Sequence, residues 1–122
     1  MTVALVVLGA AVGAPVRYLA DLMVQSRHDT VFPWGTFTVN IVGSFILGVV
    51  GAAVAVQDAP AWLLTLLGTG FCGALTTFST FGFETVRLIE DGSWPEATMN
   101  VAASLLVGLG ACGLGWWLVS SL

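Results

Sequence analysis

Four long stretches of this chain contain no charged side chain: residues 1–16, 31–57, 59–83 and 97–122. A helix that crosses a bilayer needs about 20 predominantly apolar residues. Three of the stretches are long enough by themselves, and the first is long enough if it continues through Arg17 and Asp21. The pattern therefore predicts an all-α integral membrane protein with four transmembrane helices.

The composition agrees with this class. The chain is 57% hydrophobic and 8% charged, whereas soluble domains carry about 25% charged residues. With only three arginines and no lysine, there is no basic surface for nucleic acid. A single histidine and two cysteines exclude most His/Cys metal sites. No nucleophile–base pair is evident, so we do not expect an enzyme.

The whole chain, residues 1–122, is predicted to form one four-span membrane domain with short connections. Pro33, Pro60 and Pro95 stand where the second, third and fourth helices begin, which is a typical position for proline. The three arginines lie near the first or third connection, and the positive-inside rule would place those connections in the cytoplasm. The approximate spans are 2–25, 34–56, 61–89 and 95–120.

Small residues recur at helical spacing in these spans. Gly9 and Gly13 are four apart, as are Ser44 and Gly48, and such pairs let helix backbones approach closely in lipid. The pairs could serve packing within the chain or between chains. Because a single four-helix chain has little interior in which to hold a hydrophilic pathway, we expect at least a dimer.

The third span is the most unusual, because from residue 68 it reads GTGFCGALTTFSTFGFE. Its glycines are followed by four hydroxyl residues: Thr76, Thr77, Ser79 and Thr80. Glycine weakens a helix, and Ser and Thr compete for its backbone hydrogen bonds. We therefore expect a break around Gly73–Ser79, near the middle of this span. The alternative is a glycine-kinked helix whose hydroxyls bond to their own backbone.

Neutral polar groups also occur on the second and fourth spans. Asn40 lies four residues after Thr36 and four before Ser44, and Asn100 lies four before Ser104. Residues four apart share a helix face. Asn40 could join two helices or donate hydrogen bonds to a solute. Polar faces without a fixed charge suit an anion or a neutral solute better than a cation.

Two phenylalanines lie among the hydroxyls, at Phe78 and Phe81. The edge of an aromatic ring carries partial positive charge, so these edges could face a small anion. From the residues alone, packing aromatics is the favoured interpretation of both rings. The residues alone indicate a narrow pathway for a small hydrogen-bond acceptor.

Three segments closely resemble successive motifs of the CrcB/Fluc fluoride-channel family: GAAVGAPVRY (9–18), GTFTVNIVGSFILG (35–48) and GFCGALTTFSTFGFE (70–84). The resemblance covers essentially the whole chain. It implies passive, selective fluoride conduction in a prokaryotic cell membrane, which lets the cell shed a toxic anion. It also implies a dimer of antiparallel subunits with two pores and one buried sodium ion, which is structural and is not transported.

The resemblance assigns roles by position. The carbonyls of Gly73 and Thr76 match those that hold the sodium ion. Arg17 and Glu84 match charged positions at the vestibules or pore ends. The positions that match pore-lining, fluoride-facing residues are Asn40, Phe78, Ser79, Thr80, Phe81 and Ser104.

One position departs from the family pattern, because many relatives have Tyr where this chain has Asn100. The partner subunit is either a second copy of this chain or a sister chain of opposite topology, and we favour a homodimer. A small multidrug-type, proton-coupled transporter is the alternative function. It would need a membrane-embedded carboxylate, for which only Asp21 and Glu84 are available. A non-conducting membrane subunit is the third possibility.

Overall fold

A computed structural model of the chain describes all residues, 1–122. All of its regular secondary structure is helical, and short connections join the helices. Four helical segments are long and apolar enough to cross a membrane. They are Thr2–Ser26, Trp34–Val56, Ala61–Glu90 and Trp94–Ser120. The predicted fold class of four membrane-spanning helices is confirmed, with boundaries that agree with the predicted spans to within about one residue at most ends.

The ends of the helices follow from local residue chemistry. The second helix begins immediately after Pro33 and the third immediately after Pro60, while Pro95 lies in the first turn of the fourth. Proline suits these positions because the first turn of a helix needs no backbone N–H donor. The turn after Glu90 contains Gly92 at φ 77°, a left-handed conformation that glycine adopts without strain.

The second and fourth helices share the most extensive contact of any helix pair, and small residues permit it. A Cβ atom on Gly48 would overlap the carbonyl of Cys112. A Cβ atom on Gly115 would lie 2.5 Å from the carbonyl oxygen of Phe45. The glycine of the predicted Ser44–Gly48 pair is therefore used within the chain.

The first helix packs against the N-terminal half of the third span. Cβ atoms on Gly9 and Gly13 would overlap backbone atoms of that half, near Leu66 and Phe71. From the other side, a Cβ on Gly70 would lie 2.8 Å from the carbonyl oxygen of Val6. The Gly9–Gly13 pair thus also serves packing inside the chain.

The third span is broken near its middle, as the sequence predicts. Thr76 (φ −83°, ψ 160°) and Thr77 (φ −148°, ψ 120°) are extended, inside the expected 73–79 window. The span comprises α-helix at Ala61–Leu63, π-helix at Leu64–Cys72, α-helix at Gly73–Leu75 and, after the break, α-helix at Phe78–Glu90. The π-helical segment was not predicted; such segments are rare and often lie at functional sites.

Only 19 of the 122 residues are buried, and large apolar side chains cover the outside of the first and fourth helices. Val3, Leu8, Leu106 and Leu109 are each at least 60% exposed. In a bilayer such surfaces face lipid tails or another helix at no hydrophobic cost. The surface is therefore that of a membrane protein.

Candidate functional site

A cavity of about 350 Å³ lies beside the break in the third span. The second, third and fourth helices all contribute to its wall. Its lining residues are Asn40, Gly43, Ser44, Leu47, Gly68, Cys72, Gly73, Thr76, Thr77, Phe78, Phe81, Ser104 and Leu105. None of these side chains carries a fixed charge. The cavity therefore offers amide, hydroxyl and phenyl groups to a solute.

The backbone of the break is held by one side chain of the second helix. The N–H of Thr77 donates to Oδ1 of Asn40 at 2.8 Å, and Nδ2 of Asn40 donates to the carbonyl of Thr77 at 3.1 Å. Backbone polar groups must be satisfied inside a membrane, and Asn40 does this for both groups of Thr77. Asn40 thus joins two helices. The second proton on its Nδ2 takes no part in these two hydrogen bonds.

Thr77 also starts the second half of the third span. Its hydroxyl oxygen accepts from the N–H of Thr80 at 3.2 Å and donates to the Thr80 hydroxyl at 3.0 Å. This is an N-cap arrangement, which leaves the partly positive end of the helix at the break. Thr77 is not among the predicted site residues. The preference of threonine for N-cap positions is the signal that could have found it.

The two phenylalanines lie next to each other on the wall of the cavity. Their ring centroids are 6.0 Å apart with an interplanar angle of 43°. Phe81 is half-buried, whereas Phe78 is 85% exposed in the single chain. Phe78 is thus on an open side of the chain, and only a neighbouring molecule or lipid would cover it.

A second cavity of about 100 Å³ lies on the other side of the break. It is lined by Arg17, Tyr18, Asp21, Thr36, Val39, Thr77 and Thr80. The Nε atom of Arg17 is buried there without a hydrogen-bond partner. Thr77 lines both cavities, so the residue at the break separates a neutral cavity from one that contains a cation.

The structure brings together most of the residues that the sequence selected. Those in the larger cavity are Asn40, Gly73, Thr76, Phe78, Phe81 and Ser104, and those in the smaller are Arg17 and Thr80. Ser79 and Glu84 line neither. The hydroxyl of Ser79 lies 3.5 Å from that of Thr77, and Glu84 accepts a hydrogen bond from the Thr36 hydroxyl. The roles assigned to these residues remain predictions.

Near the break the candidate metal ligands are oxygen atoms, those of the backbone among them, since no group of three His, Cys, Asp or Glu side chains could hold a metal. The Thr77 N–H bonds to Asn40 and not to the carbonyl of Gly73, four residues earlier. A Cβ on Gly73 would meet nothing within 4 Å. The carbonyl of Gly73 has thus lost its helical partner, and the space beside Gly73 is open. Oxygen donors of this kind suit a hard cation.

Four spanning helices, three of which wall a cavity without charged side chains, define a multi-pass membrane protein of the channel and transporter class. Residues 4–116 match the family described as CrcB-like protein, Camphor Resistance (CrcB). The chain belongs to this family, as its motifs predict.

Bacterial relatives match over nearly their full length. The chain is 56% identical to fluoride-specific ion channel FluC 1 of Frankia casuarinae, over 91% of this chain and 90% of the relative. It is 52% identical to fluoride-specific ion channel FluC 1 of Streptomyces avermitilis, over 97% of this chain and 95% of the relative. It is 42% identical to fluoride-specific ion channel FluC of Shewanella woodyi, over 95% of this chain and 94% of the relative. These names describe ion channels and not enzymes. Together with the four spans, they identify a multi-pass protein of a prokaryotic cell membrane.

Proposed function

We propose that this chain forms a fluoride-specific ion channel, through which fluoride leaves the cell passively and intracellular fluoride toxicity falls. The observation that carries the proposal is the uncharged lining of the larger cavity, at the break in the third span. The names of the bacterial relatives support fluoride as the ion.

The energetic requirement for conduction is replacement of the hydration shell. Transfer of an isolated ion from water into a low-dielectric medium costs on the order of tens of kcal/mol of free energy. Asn40 and Ser104 can donate hydrogen bonds, as can the hydroxyls of Ser79 and Thr80. The edges of Phe78 and Phe81 add partial positive charge. Fluoride is small and accepts hydrogen bonds strongly, so closely spaced donors favour it over chloride.

Charge at the ends of the pathway would direct the anion toward it. Arg17 is the cation of the smaller cavity, and its Nε has no partner in the chain. Asp21 also lines this cavity, so the attraction for an anion comes from the guanidinium of Arg17 and not from a net positive charge of the cavity. We assign Arg17 and, through its bond to Thr36, Glu84 to the ends of the pathway.

The larger cavity is incomplete in a single chain, which supports a dimer. Phe78 is 85% exposed and Ser79 is also exposed, although both belong to the middle of a membrane span. A hydroxyl and free backbone carbonyls at that depth are unfavourable against lipid. We propose that a second copy, inserted antiparallel, covers this face. A sister chain of opposite topology is the alternative partner.

We further propose a structural sodium ion between the two chains. The carbonyls of Gly73 and Thr76 would hold it, one pair from each subunit, because these residues lie at the break where helical partners are lost. Two oxygens from one chain are too few for a hard cation, so the second chain has to supply the rest. The ion would add positive charge near the anion pathway. Fluoride flux should fall in sodium-free preparations and recover with sodium but not with potassium.

The decisive experiment is fluoride efflux from liposomes that contain this chain alone. A fluoride electrode should record fast efflux when a potassium ionophore balances charge, with chloride efflux at the level of empty liposomes. Equal chloride flux would contradict a fluoride-specific channel. No fluoride flux from the lone chain would favour a non-conducting subunit or a heterodimer. Fluoride flux that requires a proton gradient would favour a coupled transporter.

A further inference from the structure

The hydroxyl of Ser104 has a different kind of partner from three other hydroxyls inside the helices. Ser44, Thr76 and Thr85 each donate to the backbone carbonyl four residues earlier, all at 2.8 Å. Ser104 instead donates to a side chain, Oδ1 of Asn100, at 3.4 Å. Ser and Thr in a helix often bond back to the backbone of their own helix; Ser104 is an exception, as is Thr36, whose hydroxyl donates to Glu84.

The position of Asn100 explains the exception. Asn100 is 1% exposed, and its Nδ2 donates to the hydroxyl oxygen of Thr85 at 2.8 Å. The proton of that hydroxyl is already donated to the carbonyl of Phe81, so Thr85 can only accept from Asn100. The amide nitrogen of Asn100 must therefore face Thr85, because only the nitrogen can donate. The amide oxygen, Oδ1, faces Ser104 and accepts from it.

The resulting bond to Ser104 is weak. At 3.4 Å it lies beyond the usual 2.5–3.0 Å range for an O–H donor, whereas the three backbone-bonded hydroxyls lie within that range. Ser104 also lines the larger cavity. Among these four hydroxyls, Ser104 gives up its present partner at the lowest cost when an anion arrives.

We propose that Asn100 is a positioning residue of the anion pathway. It draws the hydroxyl of Ser104 away from the backbone carbonyl and keeps its proton available to a small anion. Asn100 does not itself line the cavity, so it acts through Ser104. This inference rests on the proposed fluoride conduction, and it concerns how one donor of that pathway is kept free.

Replacing Asn100 by leucine tests the mechanism, because leucine has a similar size and no acceptor. Without Oδ1, the Ser104 hydroxyl is expected to bond to the backbone carbonyl of residue 100, as its three counterparts do with theirs. Flux per folded dimer should fall about fivefold, the factor that one hydrogen bond is typically worth. Flux through the Ser104→Ala variant should fall by the same factor.

The double variant separates positioning from a merely structural role. If Asn100 acts through Ser104, Asn100→Leu adds no further loss in the Ser104→Ala background. If Asn100 only joins two helices, the double variant should show the product of the two single-variant reductions in fluoride flux. Flux is divided by the amount of folded dimer from size-exclusion chromatography. Asn100→Ala provides a second, smaller side chain if the leucine variant does not fold.

Each outcome decides the inference. Equal flux in both single variants and the double variant supports it. Multiplying losses overturn it, as does wild-type flux in Asn100→Leu or in Ser104→Ala. In those cases, fluoride flux through the wild-type chain leaves the proposed channel function intact. Absence of fluoride flux through the wild-type chain would instead remove the proposed function itself.

Discussion

The side-chain amide of Asn40 forms a two-hydrogen-bond pair with the backbone of Thr77, 37 residues later in the chain. It replaces the bond that the N–H of Thr77 would make to the carbonyl of Gly73 in a continuous helix. The broken third span is therefore stabilised by the second helix, and the same amide lies on the wall of the larger cavity. At this point the fold and the lining of the cavity depend on one side chain.

Asn40→Ala is expected to destabilise the protein, because it leaves the N–H of Thr77 without a partner. The carbonyl of Thr77, at the N-cap, keeps its bond to the first turn of the following helix. Each unsatisfied buried group costs about 1–3 kcal/mol. Unfolding in detergent by guanidinium, followed by tryptophan fluorescence, measures the change. Ser44→Ala is the matched control, since its hydroxyl bonds only to its own helix, and its unfolding free energy should stay within about 0.5 kcal/mol of wild type. Equal stability of the two variants would contradict a structural role for the Asn40–Thr77 pair.

Replacing either phenylalanine of the larger cavity should reduce fluoride flux without preventing folding. Phe78→Leu and Phe81→Leu retain apolar volume and remove the positive ring edge. A loss of about tenfold per folded dimer corresponds to about 1.4 kcal/mol. Phe83→Leu is the control, because Phe83 is 64% exposed and lines neither cavity. Wild-type flux in both cavity variants would show that the rings are packing residues only.

Arg17→Gln should lower fluoride flux about fivefold at low salt, because it removes the cation of the smaller cavity. Arg17→Lys retains the charge and should keep more of the flux. The difference between Arg17→Gln and wild type should narrow as ionic strength rises. Arg27→Gln is the control, since Arg27 is exposed at the end of the first helix. A salt-independent loss would indicate that Arg17 acts through packing.

Gly115→Ala should destabilise the pair formed by the second and fourth helices. The added Cβ would lie 2.5 Å from the carbonyl oxygen of Phe45, and overpacking costs about 1–3 kcal/mol. Gly113→Ala, two residues away, is the control because its Cβ would meet nothing within 4 Å. Thermal unfolding of the two purified variants gives the comparison. If Gly113→Ala proves the more damaging, a surface outside the single chain must be responsible.

Much of the site could be predicted because the relevant signals are local. Glycines and hydroxyls in the third span predict a break, and the break is at Thr76 and Thr77. Three other features could not be predicted in this way. The pairing of Asn40 with Thr77, the link from Asn100 to Thr85 and the sharing of Thr77 between two cavities all depend on how one helix is rotated against another.

Hydropathy and charge along the chain determined the four spans by themselves, since the bilayer imposes a length and an apolar composition on each crossing helix. Motif spacing likewise placed neutral donors on three spans. The tertiary structure decided which donors are already used. A hydrogen bond is made over about 3 Å and in one direction, so the free and the committed groups are fixed only when glycine-mediated packing sets the distance and rotation of the helices.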